Sequence, residues 1–271
     1  MHDSKPNRRL PLAYDEHYLV RLTETPIEIE SALRLRHKVF VRELAGGSNL
    51  SDGVESDRHD RACEHLIMID RLSGDTVGTY RMKTIEVAGG IDGFYSSSEF
   101  KLESLSEEVF AKGIEIGRAC IAAEHRNTRA ILLLWKALAR RMTETGKRFF
   151  FGCCSIFTRD PADGNAAYRK LESGGFIHER YSVEPRHSIA PSDDGRRVKL
   201  PGLFEMYLRI GARVCGRPTY DEEFGTVDFF VVFDLEAMDK KYRRLLLDRA
   251  LIRRKRARPI PNSNLGRPIR P

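Results

Sequence analysis

The chain has 271 residues, 41% of them hydrophobic with 14 Phe, and a formal net charge of +7. This length and apolar content exclude a disordered chain and suffice for one domain with a substantial core. The charge does not mark a nucleic-acid groove: Lys240 to Arg258 alone carries ten Lys/Arg against Asp248, or +9, which leaves −2 for the remainder.

The five cysteines are odd in number, two of them adjacent, and no C-x-x-C occurs. That pattern is neither a disulfide framework nor a zinc site, so reduced thiols in a cytoplasm are expected. The N-terminal stretch lacks the apolar core of a signal peptide. No apolar run approaches the roughly 18 residues of a membrane span, so any membrane contact is expected at the surface.

In chain order, residues 1–17 read as an N-terminal arm and 18–24 as a first strand. Pro26 opens a helix over 27–44, with apolar residues at helical spacing. Gly-, Ser- and Asp-rich residues 45–63 form a loop. Residues 64–87 read as a hairpin about the turn "SGD", and a variable stretch continues to Lys112. "IEIGRACIAAE" is a strand in which Gly117 marks a bulge. A helix runs from Thr128, as N-cap, to a stop at Gly146.

"RFFFGCCSIF" (148–157) is a buried strand, 163–176 a short helix, and 179–197 a polar linker. "LFEMYLRIGARVCG" and "GTVDFFVVFDL" add β or mixed structure to a main domain over 18–235. A basic helix over 236–256 and a Pro-rich end complete the chain. The alternation of strands and helices, interrupted by hairpins, predicts an α/β or α+β fold with a mixed sheet flanked by helices.

Chemistry concentrates in residues 115–129. The turn "EHRNTR" precedes a helix N-terminus, whose free N–H groups and dipole favour an anion. Arg126 and Arg129 are then either phosphate forks or solvated surface charges. Glu115, between Ile114 and Ile116, is either a general base or the partner of Arg81 or Arg118 in a structural ion pair. Residues i and i+3 of a strand face opposite ways, so a bulge at Gly117 is needed to bring Glu115 and Arg118 together. His59, Cys63 and His65 match no metal-ligand spacing, and no metal is expected.

"LRLRHKVFVREL", "ESDRHDRACEHLIMID", "GTYRM" and "EIGRACI" together resemble the bacterial acyl-carrier-protein-dependent N-acyltransferases of the GNAT-like superfamily. These include ornithine-lipid N-acyltransferases, N-acyl amino acid synthases and acyl-homoserine lactone synthases. The family pattern falls on Arg36, Phe40, Asp57, Asp60, Arg81, Glu115 and Arg118. "GTVDFFVVFDLEAMDKKYR" resembles the ornithine-lipid branch, and the lone Trp, Trp135, is not in the first loop where the lactone synthases usually carry one.

The resemblance implies a GNAT-like fold and transfer of a (3-hydroxy) fatty acyl group from acyl carrier protein to the α-amine of ornithine, giving lyso-ornithine lipid. No cofactor is implied. Glu115 becomes the expected base. Arg36, Phe40, Asp57, Asp60, Arg81 and Arg118 surround the acceptor, where the two acids either hold a second ammonium or pair with arginines. Arg126, Asn127 and Arg129 form an anion site for the phosphopantetheine arm, because the turn lacks the glycines that usually cradle a pyrophosphate. The alternatives are another N-acyl amino acid or lactone synthase, or a coenzyme A-dependent N-acetyltransferase. The expected location is cytoplasmic, with residues 240–258 either docking on an anionic inner membrane face or packing their Leu side on the domain.

Overall fold

The computed structural model describes residues 10–44, 53–222 and 224–247. Its strands are β1 (Ala13–Tyr14), β2 (Tyr18–Leu22), β3 (Glu64–Asp70), β4 (Thr76–Lys83), β5 (Phe100–Lys101), β6 (Gly113–Ile121), β7 (Phe149–Phe157), β8 (Glu184–Pro185), β9 (Arg213–Val214), β10 (Thr219–Asp221) and β11 (Thr226–Asp234). Its α-helices are α1 (Pro26–Arg36), α2 (Ile85–Ala88), α3 (Ser96–Glu99), α4 (Glu107–Ala111), α5 (Thr128–Glu144), α6 (Ala162–Ser173), α7 (Gly202–Ile210) and α8 (Lys240–Leu246).

The main sheet runs β1-β2-β3-β4-β6-β7-β11-β10, with β9 also on β11, while β5 and β8 pair separately. β6 and β7 are parallel, and the other pairs of the main sheet are antiparallel. This is the expected mixed sheet flanked by helices. Alternation along β7 divides the core, as a two-residue period requires. Phe150 joins Leu134, Trp135, Leu138 and Phe233 in one cluster, and Phe149 and Phe151 join Phe94, Phe110 and Phe230 in the other.

The feature that positions the site is a parting of the two central strands. β6 and β7 pair only from Gly113↔Phe149 to Glu115↔Phe151. β7 stays bonded to β11 along its whole length, so β6 is the strand that leaves. The cause is a bulge: Thr79 and Arg81 of β4, two residues apart, face Cys120 and Gly117 of β6, three apart. An extra residue bends its strand and strengthens local twist. Arg118 takes up the bend at φ +49°, a left-handed conformation rare outside glycine. At the vertex, Gly152 has φ +153°, and a Cβ there would lie 2.3 Å from the Ile116 carbonyl oxygen. Only glycine lets the strands come so close before they part.

Several boundaries differ from expectation. The helix predicted over 27–44 changes at Arg36 into π-helical turns, His37–Leu44. Asn127, not Thr128, caps α5, because its Oδ1 accepts the Ala130 N–H at 2.9 Å. Residues 202–210 are helical, burying Phe204, Tyr207, Leu208 and Ile210 at helical spacing, where aromatic content predicted β or mixed structure. Ala13–Tyr14, inside the predicted arm, extend the sheet edge. Of the basic segment, α8 and Leu247 are described; Leu246 and Leu247 are buried on the domain, and the predicted remainder to Arg256 lies outside the described residues.

Candidate active site

Glu115 stands where the strands part, and it is buried. Its Oε1 accepts the Ser96 N–H at 2.8 Å and the Ser96 hydroxyl at 2.7 Å, while Oε2 accepts the Tyr95 N–H at 3.1 Å. A carboxylate oxygen has two lone pairs, so Oε1 is saturated and Oε2 keeps one acceptor position. Burial raises its pKa, outweighing the bonds from Ser96 and Tyr95 and the field of Arg81. The ion-pair alternative for Glu115 therefore gives way to a different arrangement: its hydrogen-bond partners are Tyr95 and Ser96, at the start of α3.

Arg36, Asp57, Asp60, Arg81 and Arg118 do come together, mainly with one another. Arg36 donates to Asp60 Oδ1 at 2.6 Å and Oδ2 at 3.2 Å, and to Glu55. Arg81 donates to Asp57 at 2.6 Å and Asp60 at 3.0 Å. Arg118 Nη2 donates to Asp57 Oδ2 at 3.1 Å, and its Nε lies 3.1 Å from Glu55 Oε1 as an ion-pair contact without hydrogen-bond alignment. Asp60 also accepts the Asp57 N–H, and Asp57 accepts the His59 N–H. The two acids thus fix their own loop. Burial pushes both carboxyls up, but the neighbouring guanidiniums hold them below the usual carboxylate range.

Behind the vertex lies a cavity of about 960 Å³. Glu115, Arg81, Arg118 and Arg126 line it, and Trp135, Phe204 and Tyr207 are among its apolar walls. Phe40, on the π-helical segment, stacks on Phe157 at 6.4 Å between ring centroids, and both rings line the same cavity. Arg36 is buried and does not line it. Tyr80 and Tyr207 hydroxyls meet at 2.6 Å within the apolar wall.

The turn before α5 is engaged by protein groups. Arg126 pairs with Glu43 and donates to the Ile121 carbonyl at 2.8 Å, Arg129 pairs with Asp15 and Glu16, and Asn127 is the helix cap. The cysteines are poor nucleophiles. Burial raises the Cys153 and Cys154 thiols and lifts Cys63 to about 11. His59, His65 and Cys63 form no metal-binding group among the described residues. Instead His59 Nδ1 meets Lys83 Nζ at 3.0 Å, and His65 Nε2 meets the Asp60 carbonyl at 3.0 Å.

Residues 35–136 match the model of an acetyltransferase (GNAT) domain. The L-ornithine N(alpha)-acyltransferase of Rhodobacter capsulatus is 31% identical over 252 residues, covering 86% of this chain and 94% of that protein. The chain belongs to the L-ornithine N(alpha)-acyltransferase family. The enzyme of the same name from Rhizobium meliloti is 30% identical over 241 residues, 82% of this chain and 81% of that one. Among solved structures, a CoA-dependent acyl-homoserine lactone synthase bound to MTA aligns with a TM-score of 0.48 at 14% identity, over 84% of this chain and 87% of that chain. The family is one of acyltransferases, and the mixed sheet and the matched domain agree on a GNAT fold.

Sequence reasoning missed Tyr95 and Ser96, which hold Glu115, because they sit in a stretch too short in its elements to show periodicity. Glu55 was in view within "ESDRHD", yet nothing in spacing marked it as the third acid of the arginine network.

Proposed function

We propose that this enzyme forms an amide between a fatty acyl group, delivered as the thioester of acyl carrier protein, and the α-amine of ornithine. The observation that carries the mechanism is the one open acceptor position on Oε2 of Glu115, a residue that lines the cavity at the vertex of the parted strands. An α-ammonium is not nucleophilic, so Glu115 takes its proton, directly or through one water. The free amine attacks the thioester carbonyl, the C–N bond forms, the C–S bond breaks, and the pantetheine thiol leaves with a proton. Backbone N–H groups of β7 beyond Phe151, released from pairing with β6, supply the oxyanion donor. Placing both substrates in one cleft contributes much of the rate without a covalent enzyme intermediate.

The apolar walls hold the acyl chain. Arg118 faces the cavity and meets the acceptor carboxylate, while Arg36, Asp57 and Asp60 hold Arg81 and Arg118 in place. Arg126 also faces the cavity and contacts the pantetheine phosphate, exchanging Glu43 for that anion, with Asn127 and Arg129 shaping the turn. No described helix is long and apolar enough to cross a membrane. Cytoplasmic residence with the basic segment 240–258 on an anionic membrane face suits a lipid product, and flotation with anionic vesicles before and after removal of 248–271 tests it: unchanged binding sinks that role.

The decisive assay compares long-chain 3-hydroxyacyl carrier protein with the matching acyl-coenzyme A, each with ornithine. Acyl-ornithine from the carrier-protein donor, lost in Glu115→Gln, is the expected result. Turnover with coenzyme A alone would overturn the donor assignment, and full activity in Glu115→Gln would overturn the base.

A further inference from the structure

Next to the Tyr95–Ser96 segment lies a second group of carboxyls. Glu99 ends α3, Asp221 ends β10 and Asp228 lies in β11. Their exposures are 8%, 9% and 1%, and one carboxylate oxygen of each lies within 4.8 Å of those of the other two. None of the three is ion-paired among the described residues. Arg118 is the cation whose field reaches Glu99 and Asp228, and it is already paired with Glu55 and Asp57.

A separate observation points to a missing partner. Asp228 Oδ1 is fully buried and accepts no hydrogen bond. An orphaned buried acceptor is uncommon in a folded protein and calls for an explanation. The groups around the triad line the cavity, although the three acids themselves do not. Tyr95 directs its hydroxyl to Asp221 Oδ2 at 3.5 Å, Phe224 N–H donates to Asp221 Oδ1 at 3.0 Å, and Thr226 and Ser155, the latter opposite Asp228 in the β7–β11 register, offer hydroxyls beside Asp228. Tyr95 thus joins the two acidic sites: its N–H holds Glu115 and its hydroxyl reaches Asp221.

We infer that Glu99, Asp221 and Asp228 receive the side-chain ammonium of the acceptor while its α-amine stands at Glu115, an assignment that rests on the function proposed above. An ammonium has three N–H donors, which matches three converging carboxyls. The two nitrogens of extended ornithine are five bonds apart, about 6 Å by standard bond lengths, so the two sites must be neighbours: the three acids do not themselves line the cavity, but Tyr95, Ser155, Phe224 and Thr226 around them do, and Tyr95 contacts both Glu115 and Asp221. The arrangement also solves a selectivity problem. One amine must lose its proton beside a single base, and the other must keep its proton among acids. Glu99 is pushed up to about 7 by burial and by Asp221 and Asp228, and burial lifts Asp228 to about 6, so these two carboxyls release their protons less readily than ordinary acids and a bound ammonium favours their ionised forms. Asp57 and Asp60, the other acids that the resemblance allows for this ammonium, are both committed to arginines.

The test uses the full chain, saturating acyl carrier protein thioester, and two acceptors, ornithine and norleucine, which replaces the ammonium with a methyl group. Asp228→Asn and Glu99→Gln should each raise KM for ornithine roughly tenfold to a hundredfold, as expected for losing a charge-assisted hydrogen bond. KM for the donor and turnover of norleucine should stay within twofold. Titration calorimetry of ornithine without donor should show the same weakening, and melting curves identify any variant that fails to fold. Unchanged discrimination between ornithine and norleucine in both folded variants overturns the assignment. So does tight Ca²⁺ or Mn²⁺ binding that both variants lose while ornithine binding persists, which would make the triad a metal site. Wild-type protein that acylates ornithine and norleucine equally refutes this inference alone, whereas wild-type protein inert toward ornithine refutes the proposed function as well.

Discussion

Two groups of carboxyls lie near Glu115, and they differ in what answers their charge. Glu55, Asp57 and Asp60 face Arg36, Arg81 and Arg118 in a closed network. Glu99, Asp221 and Asp228 face one another, two hydroxyl-bearing walls and no ion-pair partner among the described residues. The same chemical group therefore has opposite properties a short distance apart. Asp57 and Asp60 stay ionised below the usual range, and as acceptors they tie the turn over 57–60 together. Glu99 and Asp228 are pushed up to about 7 and about 6, so they cost stability when ionised. A closed network builds structure, and an open one is built to meet a cation.

The largest effect that could break this comparison is at the residue between the two groups. Glu115→Gln should lower kcat by about 10²- to 10⁴-fold, the usual contribution of a positioned base. Steady-state rates with ornithine check it, and a loss only in melting temperature would reduce Glu115 to a cap for α3. Next, Asp60→Asn should cost about 3–5 kcal/mol by urea unfolding, because it leaves the buried Arg36 short of a partner. A cost below about 1 kcal/mol would mean that the network is not the scaffold described here.

Glu99→Gln should act in the opposite direction, stabilising the protein by roughly 1 kcal/mol at pH 8. The sign follows from linkage. A carboxyl whose folded pKa is raised binds more protons in the native state, so its contribution to stability falls as pH rises from about 4 through about 7. The lowered Asp57 and Asp60 do the reverse: their stabilisation is present above the ordinary carboxylate pKa and is lost as pH falls through their folded values. Unfolding curves at pH 5 and pH 8 should therefore separate Glu99→Gln from Asp60→Asn by sign. The smallest effect is expected at Arg126→Ala, where the half-exposed pair with Glu43 is worth about 0–1 kcal/mol. Its KM for the carrier-protein donor should rise several-fold, and an unchanged donor KM would remove Arg126 from the pantetheine contact.

The sequence carried the closed network more clearly than the open one, for a physical reason. Arg36, Asp57, Asp60, Arg81 and Arg118 follow a family spacing, and Gly117 announced the bulge that turns Arg118 toward the cavity. The strands and α5 were legible because a long amphipathic period repeats. Glu99, Asp221 and Asp228 come from a short helix and two distant strands, and only the sheet order brings them together. No local pattern encodes that convergence. The helical state of 202–210 was obscured by aromatic content, and the π-helical turns after Arg36 have the same apolar spacing as an ordinary helix over so short a length.

The most direct test of the account is the position of the acyl group on ornithine after one turnover, read by fragmentation mass spectrometry. Acylation on the α-nitrogen alone is the predicted result, with the side-chain amine held at the acidic triad and the α-amine at Glu115. Acylation on the side-chain nitrogen, or on both nitrogens equally, would contradict it.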